Sequence, residues 1–427
     1  MSTSAPLPER RVARIERSIV DVVRRILAFN DARDPERLRL KYGAMRKSPF
    51  AFLRGSCHLF YDRLPRAGIF KSAPTIWSCG DLHLENFGSF KADNRLVYFD
   101  VNDFDEAALA PATWDLVRLV TSLRLAADNV TIRAADAEGL CAHFVDSYAA
   151  ALALGKAYWV ERDTATGQVR ALLDGLRNRQ RADFLDARTR SSGKRRVLRV
   201  DGAKALPATG PQRRVIEAFM AGFAQAQADP AFYKLLDVAR RVAGTGSLGV
   251  DRYVILVQGK GSPDGNHLLD LKQALPSVLA ARVSTPQPRW STEAERVVTC
   301  QRWLQAVSPA FLQPVIVAEA AYVLRALQPS EDRLAFDAAT QSRGTFEQTM
   351  QTLAGVVAWA QLRSAGRSGS AGADELIDFG RRAKWRAKLL AASSACAAQV
   401  AQDAQVFNAA YDDGAFDSGH ADEPARA

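Results

Sequence analysis

The sequence predicts an α+β protein of two lobes, one large and mostly helical, the other a small antiparallel β lobe. Three observations lead there. Apolar residues recur at helical spacing through much of residues 1–230 and again over 329–411. Residues 236–274, LDVARRVAGTGSLGVDRYVILVQGKGSPDGNHLLDLKQA, instead alternate β-rich runs with Gly-rich turns, the pattern of a meander, so the β lobe is expected over 231–328. Finally, residues 80–118, GDLHLENFG and then VYFDVNDFDEAALAPATWDLVR, set two polar clusters inside apolar, strand-like sequence. Asp81, His83, Glu85 and Asn86 form the first, and Asp100, Asn102, Asp103, Asp105 and Glu106 the second. Burying an isolated carboxylate is costly, so this density must be solvated, paired or bound to a cation, which marks a site.

Composition narrows the classes. With 427 residues, 48% of them hydrophobic, the chain can bury a large core. The net charge of +10 suits an anionic ligand, but Lys and Arg are mostly scattered and no basic run is interleaved with aromatics, so nucleic acid is not an expected partner. Five cysteines, odd in number, far apart and without a CxxC pair, argue against a disulfide framework or a zinc site. The first residues lack an apolar signal-like core and no run approaches the ~18 apolar residues of a membrane span, so a cytoplasmic protein without a membrane partner is expected.

In chain order, Val12, Ile15, Ile19, Val22, Val23 and Ile26 predict an amphipathic helix over Arg11 to Phe29 with a basic face. Pro35 to Met45 is a second helix, stopped at Ser48-Pro49 because the residue before proline is pushed out of the α region. Arg54, among Phe50, Phe52 and Leu53, suits either a phosphate or a buried ion pair. Thr75 to Cys79 and Arg95 to Val101 read as two strands of a hairpin with acidic residues at their ends. Helices follow at Trp114 to Ala126 and Ala134 to Leu154. The Arg-rich stretch from Arg177 to Arg199 reads as an exposed, mobile connection, and Gln212 to Ala228 as a helix. Strands at Tyr253 to Val257 and His267 to Leu271, a helix from Glu293 to Ala306, and strands near Pro314 to Ala318 and Tyr322 to Leu327 complete the β region. Ala-rich helices with a break at Ser364 to Gly372 run to about Tyr411, and the acidic tail 412–427 reads as disordered.

Two features of the β region bear on chemistry. GTGSLG, from Gly244 through Gly246 and Ser247 to Gly249, fits GxGxxG, but a strand follows it where a dinucleotide fingerprint requires a helix. A Gly-rich loop between two strands is the arrangement in which kinases cover nucleotide phosphates with backbone N–H groups. Lys272 lies in LLDLKQA, a lysine in an apolar strand, which calls for an anionic partner; a lysine snorkelling from an edge strand is the alternative. Asp81 and Asn86 have the catalytic-loop spacing in which Asp accepts a hydroxyl proton and Asn binds a metal, and Asp103 ends the next strand, where a kinase places its Mg²⁺ ligand.

GDLHLENFG followed by VNDFDEAALAPATWDLVRL resembles the HGDxHxxN and DFxxA…DLA segments of aminoglycoside-phosphotransferase-like kinases. As a set, SPFAFLRG, GDLHLENFG, NDFDE, WDLVRL, GTGSLG and ERVVTCQRWLQA resemble the bacterial domain-of-unknown-function family 2252 over most of the chain. The kinase resemblance implies ATP and Mg²⁺ as cofactors, Asp81 as catalytic base, Asn86 and Asp103 as metal ligands with Asp105 as a further one, and Lys272 as the phosphate lysine under the 244–249 loop. It implies Asp115 as a brace for the catalytic loop and Glu295, then Glu293, as the ion-pair partner of Lys272; Asp100 is a further candidate metal ligand. Because the Gly-rich loop and lysine follow the catalytic loop, it implies a circularly permuted, protein-kinase-like fold. Gln273, where an acidic residue is expected, and Gln361, where a histidine is expected, depart from the pattern. A phosphotransferase acting on an unknown small-molecule or protein acceptor is the leading expectation. A pseudokinase-type binding module without turnover, and a metal-dependent hydrolase built on Asp81, His83, Asp100 and Asp103, are the alternatives.

Overall fold

A computed structural model describes residues 21–417 apart from 66, 130–133, 194, 330, 331, 333 and 335–341. The expected first helix is helical over 21–30, its earlier part lying outside the described residues. Helix Pro35–Met45 starts on Asp34, whose side chain accepts from the Arg37 N–H, with Pro35 in the first turn. Ser48 and Pro49 repeat that device, so SPFAFLRG starts a short helix, Pro49–Gly55.

Four strands then frame the acidic region: β1 (Thr75–Ser78), β2 (Phe87–Lys91), β3 (Val97–Val101) and β4 (Ala108–Pro111). The expected hairpin is corrected here. β1 pairs with β4, Trp77 opposite Leu109, while the segment beginning at Val97 pairs with β2, Phe99 opposite Ser89. A 3₁₀ turn at Leu84–Asn86 redirects the chain into FGSFK, whose internal glycine hid this strand from the sequence pattern. β5 (Val160–Glu161) extends β3, and β6 (Thr189–Ser192) and β7 (Arg195–Leu198) make a hairpin inside the Arg-rich stretch. That stretch is therefore not a loose connection: Arg196, 4% exposed, binds Asp186 and, at 2.7 Å, Asp264.

β8 (Ala205–Pro207), β9 (Leu235–Arg241), β10 (Arg252–Val257), β11 (His267–Gln273), β12 (Gln313–Val317) and β13 (Ala320–Ala326) form an antiparallel sheet in the order β12-β13-β11-β10-β9-β8. Helix Gly210–Gln225 covers one face, packing Ile216 and Met220 on Val238, Ile255 and Leu269. The β lobe thus begins near residue 205 and includes that helix, not at 231, because the helix buries its apolar stripe on the sheet. Helix Glu293–Leu304, between β11 and β12, sends Ala294, Val297 and Val298 into the core of the helical lobe.

That core is built by helices Thr113–Asn129, Ala134–Leu154, Arg343–Arg363 and Lys384–Asp412 around Leu116, Phe144, Tyr148, Leu353 and Phe407, all fully buried. Each such apolar side chain contributes about 1.5–3 kcal/mol. The tail is ordered further than expected, since Phe416 packs on Tyr42 and Phe407 with ring centroids 4.8 Å apart in each pair. Residues 418–427 lie outside the described part. The architecture is mixed α+β with antiparallel sheets. Among the described residues no helix is long and apolar enough to cross a membrane, and all five cysteines are buried and free.

Candidate active site between the sheet and the helical lobe

The Asp81 loop is held from beneath by the first turns of helix Thr113–Asn129. Asp115 accepts the N–H groups of Cys79 and Gly80, each at 3.1 Å, and the Ser78 hydroxyl, which is the bracing role expected of it. Burial pushes the Asp115 carboxyl above its ordinary range against these donors. Gly80 has φ +79°, and a Cβ there would lie 2.1 Å from the Glu106 carbonyl oxygen, so the two acidic segments touch through a position only glycine fits. One turn after Asp115, the fully buried Arg118 donates from Nε to Asp81 Oδ1 at 2.7 Å and from its terminal nitrogen to the Leu53 carbonyl at 2.9 Å. Burial raises the Asp81 pKa and Arg118 only partly offsets it. Asn86 donates its amide N–H to the Asp81 carbonyl at 2.5 Å, and its own carbonyl accepts the Asn102 N–H at 2.9 Å, tying the two clusters together.

Above this floor hangs the β9–β10 connection that contains GTGSLG. Gly244 and Gly249 adopt φ of +74° and +89°. A Cβ on Gly246 would stand 2.9 Å from the Arg54 carbonyl and 3.6 Å from Asp81 Oδ2, so the loop tip lies directly over Asp81. The Ser247 hydroxyl bonds within the loop, donating to the Ala243 carbonyl at 3.1 Å.

Lys272 reaches the same place from β11, an interior strand. Its side chain is 7% exposed, its ammonium donates to the Asp105 carboxylate, and Asp103 Oδ1 stands 4.0 Å away. Partial desolvation on the cleft floor would raise the Asp103 pKa, but Lys272, Arg325 and Arg252 outweigh it and hold it below the ordinary range. The partner expected for Lys272 is corrected. Glu295 Oε2 instead accepts the Ser291 N–H at 2.8 Å at its own helix start, and Glu293 pairs with Arg296 at 2.6 Å. Carboxylates are favoured at a helix N-terminus, which keeps both glutamates there. The helix turns Arg296 inward, where it donates to the carbonyls of Asp105 at 2.8 Å and Ala107 at 2.7 Å.

Strand alternation puts Asp270 on the same face of β11 as Lys272. It is fully buried among Arg252 at 2.6 Å, Arg241 at 2.8 Å and Arg325 at 3.6 Å, and these cations hold its pKa well below the ordinary range despite burial. Asp100 is corrected as a metal candidate: its carboxylate faces away, binding Arg363 at 3.1 Å and the Ala306 N–H at 3.2 Å. Arg54 pairs with Glu85 at 2.7 Å, the ion-pair alternative. Gln361, in the place of the expected histidine, is buried and accepts the Tyr148 hydroxyl.

Between floor and loop is a cavity of about 760 Å³, lined by Arg33, Asp81, His83, Asn86, Asp103, Asp105, Glu106 and the 244–251 loop. That volume suits a nucleotide-sized ligand. Among the described residues no three His, Cys, Asp or Glu side chains converge as a ready-made metal cluster. Asp103, whose side chain is 43% exposed, and Asn86, whose amide nitrogen is turned to Asp81, leave oxygen donors that fit a hard cation completed by phosphate and water.

Several residues here escaped the sequence pattern. Arg118 was findable, one helical turn from Asp115. Glu106, pushed up to about 7 by burial, reads in the sequence as one more acid of its cluster, with no role of its own. Arg33, Lys41 and His58 carry no local signal. His58 is 2% exposed, stacks on Phe29 at 4.0 Å, and among the described residues neither ring nitrogen has a hydrogen-bond partner. Burial, helped by Lys41, pushes its pKa down from 6.5 to about 3. The unfolded chain binds this proton and the native state refuses it, so native stability is full above about 6.5 and falls toward acid. Urea unfolding at pH ~7.5 and ~5 should show that loss, and His58→Phe should reduce it. An identical pH dependence in both proteins would exclude a buried neutral imidazole.

No curated protein and no solved structure matches the chain. The family model described as uncharacterized protein conserved in bacteria, DUF2252, matches residues 33–410, and with that span the chain belongs to this bacterial family.

Proposed function

We propose that the cleft binds ATP with Mg²⁺ and transfers the γ-phosphate to an acceptor, in a kinase-like fold whose Gly-rich loop and lysine follow the catalytic loop in sequence. The observation that supports it most is the meeting of Lys272 with Asp103 and Asp105, 167 positions from Asp105 in the chain, beside a Gly-rich hairpin loop that overhangs Asp81. Asp103 and Asn86 would hold the cation, which when bound neutralises charge on the phosphates. Lys272 would exchange Asp105 for phosphate oxygens. Arg118 fixes Asp81 through Oδ1, leaving Oδ2 toward the loop to accept the proton of an acceptor hydroxyl. A hydrolase reading loses Asp100, which is committed to Arg363. A binding module without turnover is favoured by one feature, the engagement of Lys272 by Asp105 in place of a helix glutamate.

Calorimetric titration with ATP tests this reading. Affinity should fall by roughly tenfold or more when Mg²⁺ is removed, and Asp103→Asn should abolish that difference. Equal affinity in both conditions would sink the metal assignment.

A further inference from the structure

Arg33 and Lys41 stand side by side against the underside of the Gly-rich loop. Arg33 donates to the carbonyls of Gly246 at 2.9 Å and Leu248 at 3.3 Å, and Lys41, fully buried, donates to the same Gly246 carbonyl at 3.0 Å. Phe29 lies under both cations, 4.8 Å from Arg33 and 5.8 Å from Lys41. Among the described residues neither has a carboxylate at ion-pair distance; Asp81 and Glu106 act on Lys41, and Glu106 and Asp105 on Arg33, only through space. Every other buried cation of the cleft has a different arrangement: Arg118 has Asp81, Lys272 has Asp105, Arg252 has Asp270. Arg33 in the wall of the large cavity and Lys41 buried directly behind it are bonded only to neutral carbonyls among the described residues, and burial together with Arg33 pushes the Lys41 pKa well down; the arrangement is unfinished, and an anion would complete it.

We propose that Arg33 and Lys41 form an anion subsite that takes a phosphate or carboxylate group of the second substrate, so the acceptor is an anionic small molecule. The word acceptor rests on the phosphotransferase reading; the anion subsite does not. Two features separate it from Lys272, and a third ties it to the Gly-rich loop. Arg33 and Lys41 precede the catalytic loop and approach from the 21–45 helical segment, whereas Lys272 comes from the sheet. Lys272 is held by Asp105 and Asp103, the residues that fit a cation, while Arg33 and Lys41 are held only by the loop. And they grip carbonyls of Gly246 and Leu248, so an anion that replaced those carbonyls would free the loop tip from its contact over Asp81.

The probe is inorganic phosphate, titrated calorimetrically with and without a saturating non-hydrolysable ATP analogue and Mg²⁺. Wild-type protein should bind phosphate at ~1 mM or tighter in both conditions. Arg33→Gln and Lys41→Met should each weaken phosphate roughly tenfold or more, and by a larger factor than they weaken the ATP analogue. Arg33 is partly exposed, so Arg33→Gln and Arg33→Lys, with partial recovery in the lysine variant, carry the test if Lys41→Met does not fold. Absence of phosphate binding, equal binding by the variants, or displacement of phosphate by the ATP analogue would each overturn the proposal, the last by assigning the pair to the donor phosphates. Phosphate binding that needs Arg33 in a protein that binds no nucleotide would keep the anion subsite and remove the phosphotransferase reading.

Discussion

Asp81→Asn should lower ATP turnover by ~10²-fold or more while leaving the affinity for Mg²⁺ and ATP within about twofold. The carboxylate sits on the cavity floor with Oδ1 engaged by Arg118 and Oδ2 facing the Gly-rich loop. Asparagine keeps the shape but cannot accept a proton, so the loss falls on the chemical step and not on binding. Slow ATP hydrolysis to water serves as the assay. The same substitution leaves Arg118, which is 0% exposed, against an amide, so rates should be compared below the melting temperature of both proteins. Wild-type and variant rates that both equal background would favour the module without turnover.

The largest loss of stability is expected inside the sheet, two residues before Lys272 on β11. Asp270 is the shared acid of Arg252, Arg241 and Arg325, and its side chain is 1% exposed. Asp270→Asn removes the negative charge from three largely buried cations, and breaking such a buried arrangement costs about 3–5 kcal/mol. Urea unfolding should show that decrease as a lower midpoint with little change in slope. A loss below ~1 kcal/mol would mean that the arginines remain solvated and that the network does not hold β9, β10, β11 and β13 together.

Much of the backbone was legible along the chain. The helices Pro35–Met45 and Ala134–Leu154, the strands near 253–257 and 267–273, and the break after Ser364 all follow from periodicity and from proline or glycine at their edges. So did the concentration of chemistry in residues 81–106 and the bracing role of Asp115, which needs only the start of the next helix. Strand pairing was less legible, because Thr75–Ser78 and Val97–Val101 are equally good strands and nothing local says that Pro111 and Lys91 supply their partners.

Where helices and strands form, and which segments carry reactive side chains, can be read along the chain, since both depend on neighbours a few residues away. Which charge meets which follows only from the folded arrangement. Lys272 turned to Asp105 and away from Glu295, Asp100 to Arg363 and away from the cleft, and Arg118 to Asp81. It alone brought Arg33 and Lys41 to the Gly246 carbonyl, more than 200 positions along the chain. A carboxylate or an ammonium reads the same wherever it stands. Its partner is selected by the cost of leaving it buried alone, and that cost exists only after the sheet and the helices have closed around it.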